Sequence, residues 1–76
     1  MTLYEGKVGR TYSVASINLS TPVRRRLEIL GMTEHASVSL INKSLSGAIV
    51  IKIRGTRFAL GKAFAKGILI EGGAAT

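Results

Sequence analysis

Few side chains in this sequence are able to do acid–base or nucleophilic chemistry. It holds one histidine, His35, four acids, Glu5, Glu28, Glu34 and Glu71, and no cysteine. A nucleophile needs a base within hydrogen-bond reach and a third group that orients the base. Ser37, Ser39, Ser44 and Ser46 lie close to His35 in the chain, but serines are common in such turns. Glu34-His35 joins one hard oxygen to one imidazole, in kind a divalent-metal pair. A stable site takes three or more ligands, and the nearest further candidate, Glu28, falls on a helix. Phosphate-binding and dinucleotide glycine motifs are absent. The sequence therefore predicts a non-enzymatic protein with no catalytic, cofactor-binding or metal-binding residues and no cofactor.

Positive charge is the dominant chemical feature. Eleven Lys and Arg against four acids give a net charge of +7 over 76 residues. Such a balance favours an acidic partner: nucleic acid, an anionic membrane surface or an acidic protein. Arg24-Arg25-Arg26 opens a helix, where the dipole makes cations unfavourable by about 0.3–1 kcal/mol. A glutamate at Arg24 would have completed a capping box. Lys52, Arg54 and Arg57 form a second basic group on the outward face of a hairpin. Against nucleic acid, only Tyr4, Tyr12, Phe58 and Phe64 are aromatic, without the interleaving of exposed rings and cations that single-strand binders use. No helix-turn-helix pattern is visible.

The elements that carry these groups are mostly strands. Residues 10–17 are rich in β formers, with Tyr12 and Val14 on one face and Ala15 and Ile17 on the other. That change of phase predicts a bulge near Val14-Ala15. Over residues 48–54, Ile49, Ile51 and Ile53 alternate with Val50, Lys52 and Arg54. Gly55-Thr56 then reads as a two-residue type II′ loop. It would place Arg54 opposite Arg57, Ile53 opposite Phe58 and Ile51 opposite Leu60. Thr21 as cap, Pro22 at the first turn and Gly31 at the end bracket a short helix within residues 21–31. Its apolar stripe is Val23, Leu27 and Leu30. Residues 38–41 and 68–70 add strands, and residues 62–66 a helical turn.

Short strands, close turns and one helix predict a mainly β fold, a small β-barrel of five or six strands. It forms one domain over residues 1–71, with residues 72–76 as a disordered tail. No run of about 18 apolar residues could span a membrane, and no basic-then-apolar leader is present. A cytoplasmic location is expected. The absence of cysteine excludes disulfides and suits a reducing compartment.

Arg26-Leu27-Glu28-Ile29-Leu30-Gly31-Met32, followed by Leu45 and Ala48-Ile49-Val50-Ile51, resembles the FeoA family, ferrous iron transport protein A. Phe58-Ala59-Leu60 and Ala65-Lys66-Gly67-Ile68-Leu69-Ile70 look like that family's closing strand, helical turn and last strand. The resemblance covers roughly residues 7–71. The sequence departs from the family pattern at Glu34-His35, where Pro-Gly is usual. It also lacks the proline often found near Leu45 and the arginine often found at Gly61.

The resemblance implies an SH3-like barrel without enzymatic activity, similar to the C-terminal domain of diphtheria-toxin-repressor-like iron regulators. It further implies a cytoplasmic accessory role in ferrous iron uptake. The partner would be the cytosolic domain of a membrane ferrous-iron transporter that carries a GTP-binding domain. The chain is expected to act as a monomer, without inserting in the membrane and without binding nucleic acid directly. The runner-up is a basic nucleic-acid-binding or iron-dependent regulatory module of the same barrel type. For a protein partner, Arg24 and Arg25 are the expected steering charges. Met32 and Leu45, both in connections, are the expected apolar centre of the contact.

Overall fold

Alternation of apolar and polar residues builds five strands: Arg10–Ile17 (β1), Ser37–Lys43 (β2), Ile49–Ile53 (β3), Thr56–Leu60 (β4) and Ile68–Ala75 (β5). The computed structural model describes the backbone of residues 1–75 and the side chains of residues 1–72. The strands make one antiparallel sheet in the order β4-β3-β2-β1-β5. A helix, Thr21–Ile29 (α1), links β1 to β2, and a five-residue helix, Lys62–Lys66 (α2), links β4 to β5. One face of the sheet buries Val14, Val38, Ile49, Ile51, Ile53 and Ile68 completely.

The mainly β, SH3-like expectation holds, with one qualification. The sheet is not closed by pairing between β4 and β5 among the described residues. The outer edge of β5 is taken at Leu69 and Ile70. Thr2 bridges Leu69, and the Ile70 N–H donates to the Met1 carbonyl at 2.8 Å. The N-terminal segment thus satisfies an edge that would otherwise present free donors and acceptors. A 3₁₀ turn, Leu3–Glu5, follows and buries Leu3. The stretch expected to be a loose tail from residue 72 instead continues β5 against β1 as far as Ala75. Thr76 lies outside the described residues.

The expected bulge in β1 is present: Val14 pairs with Ile70 and Ser16 with Leu69, leaving Ala15 as the extra residue. Its effect is to return Ile17 to the buried face with Tyr12 and Val14.

The β3–β4 hairpin needs a correction. Its pairs are Ile53↔Thr56, Lys52↔Arg57, Ile51↔Phe58 and Ile49↔Leu60. The turn is therefore Arg54-Gly55, not Gly55-Thr56, and Lys52 rather than Arg54 faces Arg57. Arg54 has φ 50° and Gly55 φ 82°. Positive φ at both central residues is the requirement of a type I′ turn, whose twist matches that of the strands. The buried faces of the two strands are unchanged, because the slide moves each pairing by an even number of residues.

Helix α1 also ends differently from its simplest reading. The cap position is Ser20, not Thr21, and no side-chain capping bond forms. Leu27 is buried and Val23 half-buried, but Leu30 is 44% exposed. The helical stripe stops because the helix stops. Gly31, at φ 104°, lets its N–H reach the Glu28 carbonyl at 3.0 Å and the Met32 N–H reach the Leu27 carbonyl at 2.9 Å. These two bonds are the Schellman closure, in which the residue after the glycine packs against the helix. A Cβ at Gly31 would lie 3.1 Å from Ile53 Cγ2 and 3.2 Å from Arg54 Cδ. The helix end therefore rests on the β3–β4 turn.

Candidate functional site

The expected contact residues do not share one face. Arg24 and Arg25 are exposed on α1. Arg24 borders a cavity of about 200 Å³ with Ser16, Ile17, Asn18, Glu28 and Glu34, at the end of β1 and the start of β2. Leu45 is fully exposed in the turn beyond the other end of β2. At about 3.3 Å per residue, β2 holds the two ends roughly 20 Å apart. Met32 is a correction: it is wholly buried, because the Schellman closure turns it inward against Leu27. It offers no surface to a partner.

Glu34 and His35 are exposed in the turn before β2. His35 adopts φ 70°, and its N–H donates to the Val14 carbonyl at 2.8 Å. Its place in the fold is thus fixed by the backbone. Among the described residues, no three of His, Asp and Glu come together as a metal-binding group would require. Three of the four serines named with His35 have structural partners. Ser39 Oγ lies 3.0 Å from Thr11 Oγ1, and Ser44 Oγ lies 2.7 Å from Ser46 Oγ.

A group that sequence reasoning missed stands at the Leu45 end. The ammonium groups of Lys43, Lys62 and Lys66 lie 5.6, 5.3 and 5.4 Å from the centroid of the Tyr4 ring. Lys43 Nζ also donates to the Tyr4 carbonyl at 2.9 Å. Lys62 and Lys66 are four apart on α2 and so share a helical face, while the 3₁₀ turn supplies Tyr4 and the end of β2 supplies Lys43. No two of these ammonium groups can be more than about 11 Å apart, where each pair repels by at least about 0.4 kcal/mol in water. The ring's negative face offsets that repulsion in part. Lys62 and Lys66 at i, i+4 were visible in the sequence; Tyr4 and Lys43 join them only through the fold.

With this geometry in place, the family relation is direct. The FeoA domain model matches residues 1–72. The chain belongs to the FeoA family. The FeoA protein of Chlorobium tepidum is 30% identical with a TM-score of 0.86, covering 92% of this chain and 68% of that one. FeoA of Stenotrophomonas maltophilia, solved with zinc, is 29% identical with a TM-score of 0.80, over 93% of this chain and 89% of that one. That protein is described as a prokaryotic SH3 domain protein and advanced as a factor activating bacterial ferrous iron transport. A FeoA-like protein of Clostridium acetobutylicum is 28% identical with a TM-score of 0.80, over 93% of this chain and 84% of that one. No curated protein matches the sequence.

A manganese-dependent transcriptional repressor shares the fold, with a TM-score of 0.79 at 21% identity, over 90% of this chain and 39% of that one. The FeoA relation makes this chain a small SH3-like domain of a ferrous-iron-transport family. No helix among the described residues is long and apolar enough to cross a membrane.

Proposed function

We propose that this FeoA domain is a non-enzymatic cytoplasmic accessory of ferrous iron uptake. It binds the cytosolic GTP-binding domain of a membrane ferrous-iron transporter and modulates it. The observation that carries the reading is the family match over residues 1–72. The surface supports it: a basic exterior suits an acidic protein, and Leu45 stands exposed in a connection. Arg24 and Arg25 act as steering charges, which raise association rate without having to lie at the contact's centre. The test is binding of the purified domain to the transporter's cytosolic domain, for the parent, Leu45→Ser and an Arg24→Ala/Arg25→Ala double variant. Weaker binding of Leu45→Ser, and a loss of salt dependence in the double variant, are expected. A parent domain that fails to bind at low salt overturns the proposal.

The alternative of a nucleic-acid-binding module has the charge but not the stacking surface. Tyr12 is buried, Phe58 is half-buried, and the Tyr4 ring is flanked by three lysines. Phe64 is the most exposed of the four rings, at 44%. A gel shift with random DNA and RNA across a salt series checks this, because phosphate binding weakens steeply with salt.

A further inference from the structure

Three cations, Lys43, Lys62 and Lys66, converge on one ring, and among the described residues none of them has an ion-pair partner. Glu5, next to Tyr4 in sequence, is engaged elsewhere: its Oε1 accepts the Thr2 N–H at 2.7 Å. Glu28 and Glu34 face the cavity beside Arg24. The lysine group is therefore a concentrated positive site, unpaired among the described residues and suited to an acidic partner.

Next to it stands a rigid apolar tip. The turn that carries Leu45 is closed by Ser44 N–H to the Ala48 carbonyl at 2.9 Å and Gly47 N–H to the Ser44 carbonyl at 3.0 Å. The Ala48 N–H adds a bond to Ser44 Oγ at 3.1 Å. A Cβ at Gly47 would lie 3.4 Å from Lys62 Cδ, so the turn rests on the stem of Lys62. Leu45 is thus fully exposed on a hydrogen-bonded turn that rests on Lys62.

We infer that this surface, Lys43, Lys62 and Lys66 around Tyr4 with Leu45 beside them, seats an extended acidic segment of a partner protein. The inference rests on the accessory-domain reading above and deepens it by naming the face and the partner's chemistry. Alternate residues of an extended chain lie about 6.6–6.8 Å apart on one side. Two carboxylates so spaced fit within a group of cations no more than about 11 Å across. An apolar side chain one more step along the same side meets Leu45. A lipid surface is the poorer match, because a group of three cations within about 11 Å is small beside an anionic membrane face.

The probe is a fluorescent peptide, Glu-Ser-Glu-Ser-Leu, titrated with the domain and followed by anisotropy. Binding should weaken about tenfold in Lys62→Gln/Lys66→Gln and about fivefold in Leu45→Ser. It should change by less than about twofold in Lys52→Gln/Arg57→Gln, which removes equal charge from the β3–β4 hairpin. Equal weakening in the two double variants would show net charge alone at work and overturn the inference. So would capture by phosphatidylserine vesicles through these lysines without peptide binding. Against the transporter's cytosolic domain, a Lys62→Gln/Lys66→Gln variant that binds like the parent overturns this face while leaving the accessory role standing. A parent that binds the peptide through these residues but not the transporter supports the acidic seat and overturns the accessory role.

Discussion

Met32 donates its backbone N–H to the Leu27 carbonyl at 2.9 Å, and both side chains lie in the core. One residue thereby closes helix α1 and fills space beneath the sheet. Replacing it with serine removes a buried side chain and places a hydroxyl among apolar neighbours. Met32→Ser should lower stability by about 2–5 kcal/mol. Leu45→Ser, at a fully exposed position, should stay within about 0.5 kcal/mol of the parent. Urea denaturation of the two variants checks the contrast. Equal stability of Met32→Ser and the parent would contradict the buried placement.

The β3–β4 turn makes a prediction whose sign identifies the turning pair. Arg54 at φ 50° and Gly55 at φ 82° form the type I′ pair. Asn-Gly is the preferred sequence for that turn. Arg54→Asn should therefore raise stability by several tenths of a kcal/mol, to about 1 kcal/mol at most. Gly55→Ala should cost about 1–2 kcal/mol, since an L side chain at positive φ crowds the following carbonyl. Were the turn at Gly55-Thr56, Arg54 would be extended, and asparagine there would weaken the strand. Thermal melts of the two variants decide it.

The alternation of Ile49, Ile51 and Ile53 made the hairpin's buried face legible, but not its register. A slide that moves each pairing by two residues leaves the same side chains buried, and a single glycine fits either central position of the turn. The location of Met32 was legible in principle. A glycine after a helix implies that the next residue packs back on the residue three before the cap, which here joins Met32 to Leu27. The bulge near Val14-Ala15 was read from a change of phase because it alters alternation directly. The cluster around Tyr4 was not legible, since Lys43 lies 39 residues from Tyr4 and only β2 and the 3₁₀ turn bring them together. The covering of the sheet edge was equally hidden: nothing local to residues 1–2 announces that they pair with β5.

His35 carries a local strain that a glycine would relieve. It sits at φ 70° with its N–H bonded to the Val14 carbonyl, while Val14 N–H donates to the Ala36 carbonyl at 2.9 Å. The turn is thus held to β1 on both sides, and the backbone keeps His35 in the left-handed region. His35→Gly should stabilise the domain by about 1 kcal/mol, because the left-handed penalty of an L residue exceeds the added freedom of the unfolded chain. His35→Val should destabilise it, since β-branched residues tolerate that region poorly. Denaturation midpoints for the two variants, measured side by side, check the opposite signs. Stabilisation by His35→Val would refute the left-handed conformation.

Glu5 ties the N-terminal segment down in a pH-dependent way. Its Oε1 accepts the Thr2 N–H at 2.7 Å, and Thr2 in turn bridges Leu69 at the edge of β5. The backbone hydrogen bond from Thr2, then the side-chain bond of the same residue, hold the Glu5 carboxyl below the ordinary glutamate range. A carboxylate with a lowered folded-state pKa binds fewer protons folded than unfolded across the interval between the two values. Its contribution to stability is therefore complete above the ordinary range and is lost as pH falls toward the lowered value. Glu5→Gln keeps an oxygen for the Thr2 N–H but removes the charge. The parent should melt above Glu5→Gln at neutral pH, and the gap should close as pH falls through the ordinary glutamate range and below. Melting temperatures of both proteins over an acid-to-neutral series, at constant ionic strength, measure that gap. A gap that stays constant with pH would show that the Thr2 bond does not depend on the charge of Glu5.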